Sequence, residues 1–381
     1  MPLIVSLAIV IPLCHRWLES RGHCRTDSTS GQCFSRRVHS GNQPPATGGA
    51  IEFGRIGYSY NPDYVVFFDS RNQGVGFDLM ALAPVIIAGP TASGKSALAL
   101  RVAERDGGVV LNADALQVYS CWQVLSARPD PEDLARAPHA LYGHVACTEI
   151  YSVGAWLRDL APLLADLARQ RRRAIIVGGT GLYLSALTSG LAEIPTIAPE
   201  VRTRSEAILR HDGPEALIAD LARLDPITLA RIDRANPMRV QRAWEVVTAT
   251  GRGMIDWQSA RATPLIDPDS AVRVVLQPDI SRLNNNITNR FHKMVAGGAL
   301  EECAAFRDGG FDLSLPSARA LGARELMAFL DGALPLDTAV DQAVTATRQF
   351  AKRQRTWFRN RMADWTWIDP ADADAVVKIP R

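Results

Sequence analysis

Short apolar runs alternate with stretches of helical spacing along most of this chain. Val85-Ile86-Ile87-Ala88 and Val109 to Asn112 are runs of the kind buried on both faces of a parallel sheet, and Ala174 to Val177 and Val272 to Leu276 repeat them. Ser96 to Ala103 and Trp156 to Arg169 place apolar residues three and four apart, which predicts amphipathic helices between the strands. Such alternation predicts an α/β protein built on a parallel sheet. From Pro195 to about Thr263 strand candidates stop, and short polar helical segments punctuated by Pro199, Pro214, Pro226 and Pro237 predict an inserted all-helical domain. After Asp279 the pattern is helical up to a last strand, Trp365 to Ile368. The core is therefore expected over residues 80–194 and 264–370, the second part ending in a basic helix, with the insertion over 195–263 and a tail over 371–381.

The first 79 residues differ. Leu3 to Leu13 is apolar but too short to span a bilayer, and no Lys or Arg precedes it as in a signal peptide. Glu19 to Pro62 is rich in Ser, Gly, Arg and Pro with little periodicity, which reads as disorder. Met80 stands just before the first strand, so residues 1–79 are expected to be an upstream extension without chemistry, as a start codon placed too early would produce.

Composition narrows the classes. With 381 residues, 47% hydrophobic and 22% charged, the chain can bury a large core. Its net charge of +2 means that any affinity for nucleic acid must come from a local basic patch. The six cysteines, at 14, 24, 33, 121, 147 and 303, form no C-x-x-C pair, so neither a disulfide framework nor a zinc site is expected and a reducing cytoplasm fits.

The strongest local signal follows the first strand. Gly89-Pro90-Thr91-Ala92-Ser93-Gly94-Lys95-Ser96 matches G-x-x-x-x-G-K-[ST] in full, between a strand and a helix. The glycines let backbone N–H groups turn toward phosphate oxygens, the helix N-terminus adds its positive end, Lys95 supplies a point charge and Ser96 can hold Mg²⁺. This predicts a P-loop that cradles a diphosphate, whether of a nucleotide such as ATP or of another ester. No N-K-x-D tetrapeptide for guanine occurs, and the strand Ala174 to Val177 ends in Gly178-Gly179-Thr180-Gly181 where an ATPase would place a metal-holding Asp. The acid instead follows the second strand, as Asp114 in VVLNADALQVYS. Residues just beyond strand C-termini line the ligand crevice of parallel sheets, so Asp114 is expected to face the phosphates and can take a proton from a nucleophile. It can also cap a helix over Ala115 to Tyr119.

The blocks GPTASGKS, NADALQVY, GGTGLYLSAL, NPMRVQRAWEV, RFHKMVAGG, LPSARALGARE and ATRQFAKRQRTWFRN follow one another in the order and spacing of tRNA dimethylallyltransferases, and the resemblance covers about Ala83 to Asp369. It implies transfer of a dimethylallyl group from dimethylallyl diphosphate to the exocyclic amine of the adenosine 3′ of the anticodon, with diphosphate released and Mg²⁺ as cofactor. By resemblance Asp114 is the base or amine-orienting carboxylate. Thr91, Lys95 and Ser96 bind diphosphate with the rest of Gly89 to Ser96, and Arg324 clamps the leaving group. The resemblance also places Asp114, Ala115, Leu116, Gln117, Thr180, Arg202 and the segment Met238, Arg239, Val240, Gln241 and Arg242 against the tRNA. Arg348, Lys352, Arg355 and Arg359 form a basic stripe on one helix, with Phe350, Trp357 and Phe358 available for packing or stacking, and read as an RNA track. The expected partners are the tRNA anticodon loop and dimethylallyl diphosphate, bound by a monomer without membrane attachment.

The chain departs from the family pattern in places. Leu125-Ser126-Ala127-Arg128-Pro129 replaces GTAKP, Cys121 and Trp122 are unusual, and Ala323 stands where the family has a tyrosine, which predicts a looser wall behind Arg324. Other readings share the cradle. A small-molecule kinase needs no helical insertion, an adenylate isopentenyltransferase needs neither the insertion nor the basic helix, and a nucleotide-dependent switch would lack an acceptor base.

Overall fold

The computed structural model describes residues 82–260, 263–371 and 378–380, together with the backbone of short strands between 25 and 69. Two compact units divide the chain, Met1–Asp69 and Ser70–Arg381. In the first, Arg25–Thr26 pairs antiparallel with Cys33–Phe34, and Ala50–Phe53, Ile56–Asn61 and Tyr64–Asp69 form an antiparallel meander. The expectation of disorder over Glu19 to Pro62 otherwise lies outside the described residues.

The second unit is built on β1 (Val85–Ala88), β2 (Val109–Asn112), β3 (His139–Ala140), β4 (Ala174–Gly178), β5 (Val272–Leu276) and β6 (Thr366–Ile368). They form one parallel sheet in the order β6-β5-β1-β4-β2-β3. Alternate strand residues face opposite layers. Val85, Ile87, Val110, Ile175, Val177 and Val274 pack with Leu98 and Val102 of α1 (Lys95–Asp106). Ile86, Leu111, Ile176 and Val275 pack with Trp156, Leu160 and Leu164 of α3 (Val153–Arg169) and with Tyr183 and Leu184 of α4 (Gly181–Ser189). Burial on both faces is why the strands read as unbroken apolar runs. The short α2 (Pro131–Arg136) and β3 gave no sequence signal, being only 6 and 2 residues long.

Four insertion helices start on the four prolines: α5 (Pro199–His211), α6 (Pro214–Leu224), α7 (Pro226–Arg231) and α8 (Pro237–Thr250). Proline suits the first helical turn because the N–H it lacks would have no partner there. With α9 (Met254–Ser259), these helices close around their own cluster of Leu217, Leu221, Leu229, Val240, Ala243, Trp244 and Val247. After β5 come α10 (Ile280–Met294), α11 (Leu300–Asp308), α12 (Ala323–Leu330) and the 26-residue α13 (Leu336–Arg361).

One expectation from cysteine spacing is overturned. Cys121 and Cys147 are joined in a disulfide, their Cα atoms 6.0 Å apart. The chain returns on itself between them through a bridge from Tyr119 to Val145, and that proximity has no signature in a spacing of 26 residues. Among the described residues no helix is long and apolar enough to cross a membrane.

Candidate active site

The loop from β1 to α1 turns on two left-handed residues, Ala92 (φ 62°) and Gly94 (φ 86°), and α1 begins directly after it at Lys95. The first N–H groups of α1 have no intrahelical partner and carry its positive end. Lys95 Nζ donates to Pro90 O at 3.4 Å, and the Ser93 hydroxyl is buried without a hydrogen-bond partner. Burial holds the Lys95 ammonium down to about 8, opposed by nearby Asp114 and reinforced by Arg290. Arg290 itself is lowered by burial, again opposed by Asp114, and its Nη1 donates to Thr91 Oγ1 at 3.3 Å. Two half-buried cations thus flank the cradle, each with Asp114 near enough to act on its charge.

Asp114 is held by short-range hydrogen bonds at the end of β2. Its N–H donates to Asn112 Oδ1 at 2.9 Å and its Oδ1 accepts from Leu116 N at 3.0 Å. Asn112 Nδ2 donates in turn to Asp114 O and Leu141 O. Residues 115–118 form a turn, where a helix over Ala115 to Tyr119 was expected. Side-chain acceptors explain the difference: Asp114 takes the Leu116 N–H, Thr180 Oγ1 takes the Ala115 N–H at 2.9 Å, and Tyr119 is drawn into its bridge with Val145. Asp114 therefore caps a turn and leaves a carboxylate oxygen for other work.

A cavity of about 1150 Å³ opens here, lined by Thr91 to Ala97, Asp114 to Gln117 and Gly179 to Leu182. It lies beyond the C-terminal ends of β1, β2 and β4, where ligands bind in open parallel sheets. Helix α10 contributes Asn286, Asn289, Arg290 and Lys293 to the lining, a polar face at helical spacing opposite the buried Leu283, Ile287 and Phe291. That face was the sequence signal for Arg290, within the block RFHKMVAGG. The loop Leu125-Ser126-Ala127-Arg128 forms another wall, braced by Glu302, whose carboxylate accepts from the N–H groups of Gln123, Val124 and Leu125 at 2.7, 2.7 and 2.9 Å.

The position of Arg324 corrects the sequence reading. Helix α12 buries Ala323, Leu326 and Met327, and this spacing turns Arg324 to the opposite, exposed face, outside the cavity lining. Arg290, not Arg324, is the arginine of these two that lines the cavity beside Thr91. Ala323 leaves no loose wall, being fully buried in the cluster around Phe291 and Ala343.

The insertion residues do not line the cavity. Arg202, Met238 and Arg239 are exposed, and Arg242 lies 3.6 Å from Glu245. Val240 and Gln241 depart from the expected tRNA face. Val240 sits in the insertion core, and Gln241 Nε2 donates to Ser205 Oγ, which donates to Glu245 Oε1. On α13 the stripe Arg348, Lys352 and Arg359 is exposed, with Arg355 half-buried. Phe350 and Trp357 line the cavity, whereas Phe358 is buried in the core and unavailable for stacking. A side chain on Gly181 would overlap the Trp357 indole, which explains the last glycine of GGTG. Gln354, missed by sequence reasoning inside RQFAKRQR, also lines the cavity.

The IPP transferase family matches over residues 117–361 and the isopentenyl transferase family over residues 83–140. A tRNA dimethylallyltransferase of Cereibacter sphaeroides is 56% identical over 288 residues, covering 76% of this chain and 89% of the relative. One from Dinoroseobacter shibae is 55% identical, covering 77% and 97%. Among solved structures, the tRNA isopentenylpyrophosphate transferase of Bacillus halodurans aligns with a TM-score of 0.55 at 31% identity over 78% of this chain and 94% of its own. A eukaryotic dimethylallyltransferase acting on tRNA shares the fold with a TM-score of 0.67 at 23% identity, covering 77% of this chain and 76% of its own.

Proposed function

The chain belongs to the IPP transferase family, that of the tRNA dimethylallyltransferases, and from that premise we propose that its cavity transfers a dimethylallyl group from dimethylallyl diphosphate to the exocyclic amine of the adenosine 3′ of the tRNA anticodon. The observation that carries this reading is that a diphosphate cradle flanked by Lys95 and Arg290 shares one cavity with Asp114.

In this reaction the amine nitrogen attacks the allylic carbon, the bond from that carbon to the diphosphate oxygen breaks, and the amine loses one proton. An aryl amine is a weak nucleophile, so it has to be oriented and deprotonated while charge growing on the leaving group is neutralised. Asp114 orients the amine and takes its proton. Lys95 and the N–H groups at the start of α1 hold the diphosphate, and Arg290 supplies the second cation, as a planar guanidinium suits a phosphate group. Ser96, exposed at the start of α1 and lining the cavity, would hold Mg²⁺ together with diphosphate oxygens. Bound there, Mg²⁺ would neutralise charge on the departing diphosphate.

The target base must leave its stack to reach Asp114, because a stacked adenine shields its amine. Thr180, Ala115, Leu116 and Gln117 line the cavity on the acceptor side, while the stripe on α13, the exposed Arg202, Met238 and Arg239 and the half-buried Arg242 offer contacts for tRNA. The enzyme is proposed to act as a cytoplasmic monomer. Incubation with labelled dimethylallyl diphosphate, Mg²⁺ and bulk tRNA is expected to place the label on the adenosine 3′ of the anticodon and release diphosphate. Label on free adenine nucleotides, or none on RNA, would overturn the reading.

A further inference from the structure

Helix α13 places one uncharged polar side chain among the cavity's charged groups. Gln354 is only 6% exposed, and both ends of its amide are engaged. Oε1 accepts from Thr91 N at 2.8 Å, and Nε2 donates to Gly179 O at 2.8 Å. The amide has one workable orientation, since a flip would set N–H against N–H at Thr91 and oxygen against oxygen at Gly179. A Cβ on residue 179 would overlap Nε2, so the absence of a side chain there is a condition of the contact.

The two partners belong to different parts of the proposed reaction. Thr91 is in the diphosphate cradle on the end of β1. Gly179 precedes Thr180, whose hydroxyl accepts from the Ala115 N–H beside Asp114 on the end of β2. Strands β1 and β2 are not neighbours, because β4 lies between them, and no ladder hydrogen bond joins their C-terminal loops. Gln354 ties the β1 loop to the β4 loop, and Thr180 ties the β4 loop to the β2 loop. We infer that Gln354 is a positioning residue that fixes the distance between the diphosphate cradle and the acceptor side at Asp114. The inference rests on the reading of the cavity as the site of dimethylallyl transfer. Slack of about 1 Å between reacting groups costs roughly a hundredfold in rate, so a single brace of this kind has kinetic weight.

The test compares Gln354→Glu and Gln354→Met with the wild-type full chain. A protonated Glu reproduces the amide, with its carbonyl toward Thr91 N–H and its O–H toward Gly179 O; the ionised form sets an anion against that carbonyl oxygen. Single-turnover transfer at saturating donor and tRNA is expected to be slower by about tenfold or more in Gln354→Glu near pH 8, and to recover toward wild type near pH 6 as the carboxyl takes its proton. Gln354→Met should be slow at both. The charged groups Lys95, Asp114, Arg290, Lys293, Arg319 and Arg353 share the cavity in wild type and variants alike, so the ratio to wild type at each pH is the quantity compared. Binding of inorganic diphosphate should change less than the rate, a split that general loosening does not produce. Equal rates in all three proteins, or a pH-independent deficit in Gln354→Glu that follows its melting temperature, would overturn the inference. Wild-type protein that binds diphosphate but modifies no tRNA would overturn the functional reading beneath it.

Discussion

Asp114 has two jobs that one substitution separates. Asn at 114 keeps an oxygen to accept from Leu116 N and so keeps the turn, but it has neither charge nor basicity. In Asp114→Asn, stability should change by about 1 kcal/mol or less while turnover falls by roughly a hundredfold or more, the scale of a lost general base. Melting curves beside single-turnover rates check this, and a near-normal rate removes Asp114 from the mechanism. Lys95 gives a second, pH-dependent test. Its folded value of about 8 lies below the ordinary 10.5, so between those limits the unfolded chain binds more protons than the folded one, and stability rises with pH across that window. Diphosphate affinity should move the other way, falling as Lys95 loses the charge that holds the anion. Melting temperature and diphosphate binding measured from about pH 7 to about pH 10, beside a Lys95→Met control, should show the two opposed trends, which the control lacks. At this scale the sequence placed the P-loop and Asp114 where the structure has them, on one cavity, because each is tied to a strand end. It could not tell that Arg290 and not Arg324 lines the cavity, because which of them faces inward depends on which flank of its helix meets the core.

The elements were more legible. Strands β1, β2 and β5 appear over the residues expected, since burial on both faces makes them mainly apolar runs, with Asn112 and Arg273 as the polar exceptions. The starts of four helices between Pro199 and Thr250 were legible from their prolines. What stayed hidden was long-range, such as the disulfide from Cys121 to Cys147, the burial of Val240 and Gln241, and the reach of Gln354 to residues 263 and 175 positions away. Because α5 to α9 pack on their own apolar cluster, they should be separable. Replacing Pro195 to Thr263 with a short linker should leave diphosphate binding within about threefold of wild type, as expected for a site with no lining residue from the insertion, and abolish modification of tRNA. Calorimetric titration with diphosphate and the labelling assay report the two halves. Normal tRNA modification by the shortened protein would strip the insertion of any recognition role.

For the whole molecule, the relatives from Cereibacter sphaeroides and Dinoroseobacter shibae align over about three quarters of this chain, and Ser70–Arg381 is a compact unit by itself. A chain beginning at Met80 is expected to fold and modify tRNA as the longer one does, with stability within about 0.5 kcal/mol, the scale of changes far from packed features. Loss of folding or activity would give residues 1–79 a role.

The sheet order also governs synthesis. Strand β1 lies between β4 and β5, so one of its edges stays bare until the ribosome has passed residue 276, and the outer strand arrives only at 368. The insertion, complete by residue 259, has all its packing partners before β5 emerges. The nascent chain therefore finishes its appended helices first and carries an open, apolar sheet edge while they wait, the state most exposed to mispairing with other chains. Chaperone dependence in the cell should concentrate in the interval between the emergence of β4 and that of β5, while the insertion is being made.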